Sequence, residues 1–232
     1  MNSLPNFSKI TLLGLAITST FLTGCDSDNN SDELARAVEL EKLRANGTII
    51  EEFEITNDQM RLEAGETHQL IAIGLDSKGN TRDVTNELTA WSSSDETIAT
   101  VSSKGLVTGV KNSDIDQGKV TITGTTINDI LGEGEMSISD VGVSSITLKQ
   151  ISPETGHIHT CIDASISGDV RYKDDYLSLN TIKDMTFTLD DQTSAVIDKN
   201  GVLYTSAQGT ENTTITSTIG AIDAQLTVTA DP

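Results

Sequence analysis

From position 48 onward the chain alternates apolar and polar residues with a period of two, in short runs broken by Gly, Asn, Asp and Ser. That period belongs to half-buried β-strands, whose successive side chains point to opposite faces. Ala99 and Val101 lie two apart, as do Ala195 and Ile197, so each pair shares one strand face and can enter the space between two sheets. Lys104-Gly105 and Asn200-Gly201 stand between such runs, where Gly supplies the positive φ of a tight hairpin turn. The pattern predicts first strands from Ile49 and Ser145, a terminal strand over Ala224 to Thr229, and a boundary near Asp140 to Gly142. One segment departs from it. Ser31 to Asn46 spaces Leu34, Val38, Leu40 and Leu43 among Glu, Lys and Arg, which predicts a helix capped by Asn30 with Glu33 and stopped at Asn46-Gly47. Its apolar stripe is thin, and three roles fit it equally: a stalk, packing on the first sandwich, or pairing with another copy.

The strand-forming region repeats. Gly65-Glu66-Thr67-His68-Gln69-Leu70 precedes Trp91, Ile98 to Val101 and Gly105-Leu106-Val107, and Gly156-His157-Ile158-His159-Thr160-Cys161 precedes Phe187, Ser194 to Ile197 and Gly201-Val202-Leu203. Trp91 to Gly105 and Phe187 to Gly201 both span 14 residues, with an offset of 96 between copies. Trp91 and Phe187, the large aromatics of their copies, are placed to fill a sandwich core. The expected fold is all-β, two tandem immunoglobulin-like β-sandwiches preceded by a leader, a linker and a short helix.

The runs GETHQLIAIGLDSKGNTRDVT, AWSSSDETIATVSSKGLVTGV and KVTITGTT together resemble the group 2 bacterial immunoglobulin-like family across nearly all of the first copy. The second copy departs from that pattern: Phe187 stands for Trp, the DVT after the turn is missing, and Asp169 to Lys183 diverges. The implied organisation is 1–24 leader, 25–47 linker and helix, 48–141 first sandwich and 142–232 second, divergent sandwich. The resemblance implies surface or envelope proteins, adhesins and intimin-like proteins among them, in which such modules act as spacers or carry a binding tip. A sandwich hosts many functions, so fold alone does not choose among them.

The N-terminus supplies an address. A polar stretch with Lys9, an apolar run from Ile10 to Leu22 and the small residues Thr23-Gly24 form a signal peptide. The apolar run, about 13 residues, is too short for a bilayer core of roughly 30 Å at 1.5 Å per residue. Leu22-Thr23-Gly24-Cys25 resembles a lipobox, which implies acylation of Cys25 and anchoring in the inner or outer membrane of a Gram-negative bacterium, facing the periplasm or cell surface. Asp26, the next residue, resembles the signal that holds enteric lipoproteins in the inner membrane. Asp26 to Asp32 reads as a solvated linker, because an EF-hand loop there would need Gly where Ser31 stands and Glu where Ala37 stands.

Charge narrows the partners. The 232 residues carry 35 Asp and Glu against 15 Lys and Arg, a net charge of −20, and such a surface repels nucleic acid and anionic lipid heads. Cys161 is the only other cysteine and aligns with Leu70 of the first copy, a core-type position, so it is read as a buried small hydrophobe, with an intermolecular disulfide in an oxidising periplasm as the alternative. His157 and His159 lie two apart, but a metal site needs three or four ligands, so both are read as surface histidines. The acid pairs Asp174-Asp175 and Asp190-Asp191 are adjacent, and adjacent strand residues face opposite sides, which spoils them for two-carboxylate catalysis. No nucleophile triad, phosphate loop or zinc motif appears, so neither a catalytic residue, a cofactor nor an enzyme activity is assigned. The expected partners are the membrane, through the lipid, and a protein or glycan. Aromatics are 3% of the chain, and Tyr172 and Tyr176 form the one local pair available for sugar stacking. The alternatives to an adhesive or spacer role are a carbohydrate-binding module using those tyrosines and an accessory subunit of a pilus or secretion assembly.

Overall fold

The computed structural model describes residues 30–153, 157–159, 162–190, 195–205 and 212–231. Helix α1 (Asn30–Asn46) starts one residue earlier than expected and takes in Asn30. Leu34 and Val38 on it are 66% and 61% exposed. Leu40 and Leu43 are half-buried, and the Arg36 guanidinium adds a polar tie to the sandwich: it donates to Ile127 O at 3.0 and 2.7 Å and pairs with Asp129 at 2.6 Å.

The N-terminal sandwich is built from β1 (Ile50–Ile55), β2 (Met60–Leu62), β3 (Thr67–Gln69), β4 (Ala72–Asp76), β5 (Thr81–Asp83), β6 (Ala90–Ser93), β7 (Ala99–Val101), β8 (Leu106–Gly109), β9 (Lys119–Thr125) and β10 (Leu131–Ile138). They form three sheets in the orders β1-β4-β5, β3-β8-β7 and β2-β10-β9-β6. The last contains one parallel pair, β2 on β10, among antiparallel ones. Burial along β9 alternates residue by residue, as the period-two pattern requires: Val120 and Ile122 are inside, and Lys119, Thr121 and Thr123 face out. Leu62, Leu70, Ile122, Met136 and Ile138 form the centre of the core.

The C-terminal sandwich uses β11 (Val143–Ser152), β12 (His157–His159), β13 (Ala164–Tyr172), β14 (Leu177–Thr181), β15 (Thr186–Leu189), β16 (Ala195–Ile197), β17 (Val202–Thr205), β18 (Asn212–Ile219) and β19 (Ile222–Asp231). One sheet runs β12-β19-β18-β15, with β12 parallel to β19, and so reproduces the order β2-β10-β9-β6. The other runs β11-β13-β17-β16, with β14 also on β13. It fuses the counterparts of two N-terminal sheets because β13 is one continuous nine-residue strand where β3 and β4 are separate. A second core, with Ile166, Leu203 and Ile215 at its centre, lies between these sheets.

The hairpins expected at Gly105 and Gly201 are present, with φ of +77° and +72°. They also correct the register of the repeat. Leu70 N–H donates to Gly105 O at 3.0 Å and Ile166 N–H donates to Gly201 O at 2.8 Å, so the partner of Leu70 is Ile166, not Cys161. The offset of 96 seen at the hairpins therefore extends through Leu70. His157 to His159 pair in parallel with β19, as Met60 to Leu62 do with β10, and are not the counterpart of the strand holding His68. Cys161, like Cys25, lies outside the described residues. Trp91 and Phe187 are also placed differently from expectation. Both are only partly buried and pack on the rim of their cores, whose centres are aliphatic, and a Cβ on Gly105 would lie 2.9 Å from the Trp91 ring.

Candidate functional site

The most elaborate side-chain cluster among the described residues lies where the two sandwiches meet, and it is organised by Arg61. This residue sits in β2 between Met60 and Leu62, hydrogen-bonding partners of β10 on one side, so its long side chain is carried toward the C-terminal sandwich. It is 2% exposed, in a chain whose cations are few. Buried guanidinium is costly unless its donors find acceptors, and four of its five N–H groups do so here. Nη1 and Nη2 grip Asp174 Oδ1 and Oδ2 at 3.0 and 2.7 Å, Nη2 also reaches Gln117 O at 3.2 Å, and Nε donates to Ser137 Oγ at 2.9 Å. The planar fork matches a carboxylate in a two-point arrangement that a lysine does not reproduce.

Two aromatic rings complete the cluster. Arg61 Cζ lies 4.4 Å from the Tyr172 ring centroid and 4.7 Å from that of Tyr176, and the two rings are 6.2 Å apart. At such distances the ring faces attract the cation, and they also shut water from it. The residues singled out for sugar stacking are thus brought together, but around an arginine of the same chain. Tyr176 is 3% exposed and has no open face. Its hydroxyl has no hydrogen-bond partner. Burial pushes both phenols above their ordinary value, Tyr176 far above it.

The turn bearing Asp174 is shaped for this contact. Asp175 N–H donates to Tyr172 O and Tyr172 N–H to Tyr176 O, closing residues 172–176 into a tight loop with Asp175 at φ +66°. That loop splits the acid pair. Asp174 turns inward to Arg61, while Asp175 stays outside, 86% exposed in its side chain and 3.9 Å from Arg171. Burial pushes the Asp174 carboxyl up, but the Arg61 hydrogen bonds and charge, with the Tyr176 N–H, outweigh it and hold the carboxyl below its ordinary range. From the other side Gln117 Nε2 donates to Asp174 O at 2.6 Å. Asp116 and Gln117 adopt φ of +47° and +58°, a strained pair of non-glycine residues held in place at this contact.

Further links surround the cluster. Lys183 pairs with Glu66 across the junction at 3.1 Å and with Asp184 at 2.5 Å. Burial lowers the Lys183 amine, and its two carboxylates overcome that and raise it. Thr181 Oγ1 donates to Met60 Sδ at 3.3 Å, and Arg61 N–H donates to Ser178 Oγ at 3.1 Å. A cleft of about 370 Å³ opens beside these residues, lined among others by Arg61, Tyr172, Lys173, Lys183 and Ile222.

Among the described residues, the hydrogen bonds and ion pairs given above from the C-terminal side of the junction come from residues 174–183, inside the stretch where the second copy diverges from the first. Sequence reasoning marked that divergence and the tyrosine pair, but not Arg61. The available signal was an arginine inside the otherwise apolar Met60-Arg61-Leu62. Of the remaining candidates, the His68 ring contacts Asn57 O at 2.8 Å, while His157 and His159 lie in β12 opposite Thr229 and Asp231. Asp190 Oδ1 accepts from Thr214 N–H at 2.9 Å, and Asp191 lies outside the described residues. Among the described residues no group of three or more His, Cys, Asp or Glu converges as metal ligands, and no helix is long and apolar enough to cross a membrane.

Residues 49–129 match the sequence family described as bacterial Ig-like domain (group 2). Ice-binding protein 1 of Shewanella frigidimarina (strain NCIMB 400) is 28% identical over 136 residues, which cover 57% of this chain but 14% of that protein. Domains 5–6 of the S-layer protein SbsC superpose with a TM-score of 0.43 at 16% identity, over 78% of this chain and 97% of that one. Extracellular cadherin domains 1–5 of protocadherin gamma B2 give 0.28 at 15% identity, over 78% and 38%.

Proposed function

Taking the group 2 bacterial Ig-like match over residues 49–129 as premise, we propose that this protein is a non-enzymatic envelope lipoprotein, anchored through lipid on Cys25, whose sandwiches at 48–141 and 142–232 serve as a spacer or adhesive arm. The observation that carries this reading is the serial layout of the chain. Strand β10 begins at the turn held by Arg36 of α1 and ends at Ile138, next to the Arg61 cluster. Its eight residues at about 3.4 Å each span about 24 Å between the Arg36 contact and the Arg61 cluster, which supports a layout with α1 at one end of the N-terminal sandwich and the C-terminal sandwich at the other. A tether entering through α1 would hold the second sandwich outward. Its partner would be a protein or a glycan. The relative named for ice binding shares this stretch over a small part of its own length, which suits a carrier module, and its named ligand is not transferred.

Metabolic labelling with an alkyne analogue of palmitate, followed by membrane fractionation, tests the anchor. The expected result is a labelled, membrane-bound protein, with label and membrane association both lost in Cys25→Ser. A soluble, unlabelled wild type would overturn the reading. Probing glycan and matrix-protein arrays with residues 26–232, with and without calcium, separates the adhesive role from the spacer role.

A further inference from the structure

We infer that Arg61 is a positioning residue that fixes the angle between the two sandwiches, so that the chain from β1 to β19 behaves as one stiff body. Tandem modules joined by a peptide alone swing relative to one another, because little holds them but the linker. Here the linker itself is immobilised. Ser139 is 1% exposed and donates its N–H to Leu62 O at 2.9 Å, and Gly142 O accepts from Lys173 N–H at 3.0 Å, so both ends of residues 139–142 are bonded, one to each sandwich. Beyond the linker, attachments arise from two segments of the C-terminal sandwich: the 172–176 turn, through Asp174 on Arg61, and residues 178–183, through Ser178 on the Arg61 N–H, Thr181 on Met60 and Lys183 on Glu66.

Arg61 is the attachment least tolerant of rotation. Two-point pairing with a carboxylate sets the plane of the guanidinium, and the Tyr172 and Tyr176 rings pack against it with centroids 4.4 and 4.7 Å from Cζ. Swinging the sandwiches by the width of one hydrogen bond would break both Asp174 contacts and leave a buried cation without a counter-ion, which strongly opposes the motion. The strained backbone at Gln117 supports the same geometry, since its carbonyl accepts from both Arg61 and Ser137 and its side chain donates to Asp174 O. Residues 172–183 thus depart from the first copy because they form a docking surface instead of a free turn.

The significance of stiffness for an extended arm rests on the spacer reading, but the joint is tested without lipid or ligand, so the two ideas fail separately. Residual dipolar couplings are measured on residues 26–232, which hold every described residue. The expected result is that amides of both cores in the wild type fit a single alignment tensor. Arg61→Ala and Asp174→Asn should each require two tensors, while chemical shifts of core residues such as Ile122 and Ile215 stay unchanged. Asp174→Asn keeps the volume of the side chain and decides the matter where Arg61→Ala does not fold. Two tensors for the wild type, or one tensor for Asp174→Asn, would overturn the proposal.

Discussion

At the residue scale, Arg61 and Asp174 show how one buried charge is accommodated in an acidic chain. Arg61 is 2% and Asp174 22% exposed in the side chain, so their pairing is screened less than a surface ion pair and more than a fully buried one. Arg61→Ala should cost about 2–3 kcal/mol in urea unfolding, because it leaves the carboxylate half-desolvated. Arg61→Lys should recover little of that, since an ammonium cannot hold both oxygens, Ser137 and Gln117 at once. Two aspartates at this end of the molecule have opposite pH signatures. Asp174 is held below its ordinary value of 3.8, so its contribution is present above that pH and is lost as pH falls through the lowered value. Asp58 is raised, by burial first and by the charge of Glu135, so its contribution is present below 3.8 and is lost as pH rises through the raised value. Asp58→Asn keeps an acceptor for Glu135 N–H and should therefore stabilise the protein at pH 7, with the gain vanishing in unfolding curves taken below pH 3.8.

At the element scale, turns and helix ends separate what the pattern dictates from what tertiary contact adds. Gly65 and Gly201 both have positive φ, but a Cβ on Gly65 meets nothing within 4 Å, while one on Gly201 would stand 2.2 Å from Ile166 O. Gly65→Ala should cost about 1 kcal/mol and Gly201→Ala about 3 kcal/mol or more, read as shifts in the midpoint of thermal or urea unfolding. The Arg36–Asp129 pair on helix α1 has partners 45% and 74% exposed, and Leu34 and Val38 face water, while Leu40 and Leu43 are half-buried. Arg36→Ala should therefore lower overall stability by less than about 1 kcal/mol while speeding amide exchange along 31–46. The hairpins, the helix and the strand faces were legible because each is set by residues within a few positions of one another. The strand register before the second hairpin was not. His157 to Cys161 imitate the spacing of His68 and Leu70, yet the hydrogen bond that sets register is made by Ile166, five residues further on.

At the scale of the whole molecule, the repeat of sheet order is the expected consequence of the repeated sequence. The strands order β2-β10-β9-β6 and β12-β19-β18-β15, each with one parallel pair, although few residues match between the copies. The cores tolerate this because they need apolar volume at alternate positions, not particular side chains. The junction could not be read in advance, since Arg61 and Asp174 are 113 residues apart and no local pattern joins them. Its traces in the sequence were indirect: a cation in an apolar run, two tyrosines among few aromatics, and a second copy that diverges over the residues that dock.

Arg61 and Asp174 act together to join the two sandwiches, and a double-mutant cycle measures their coupling directly. Urea unfolding of the wild type, Arg61→Ala, Asp174→Ala and the double variant should give a coupling energy of about 1.5–3 kcal/mol, with the double variant little worse than either single one. Strictly additive losses, or single variants as stable as the wild type, would contradict it.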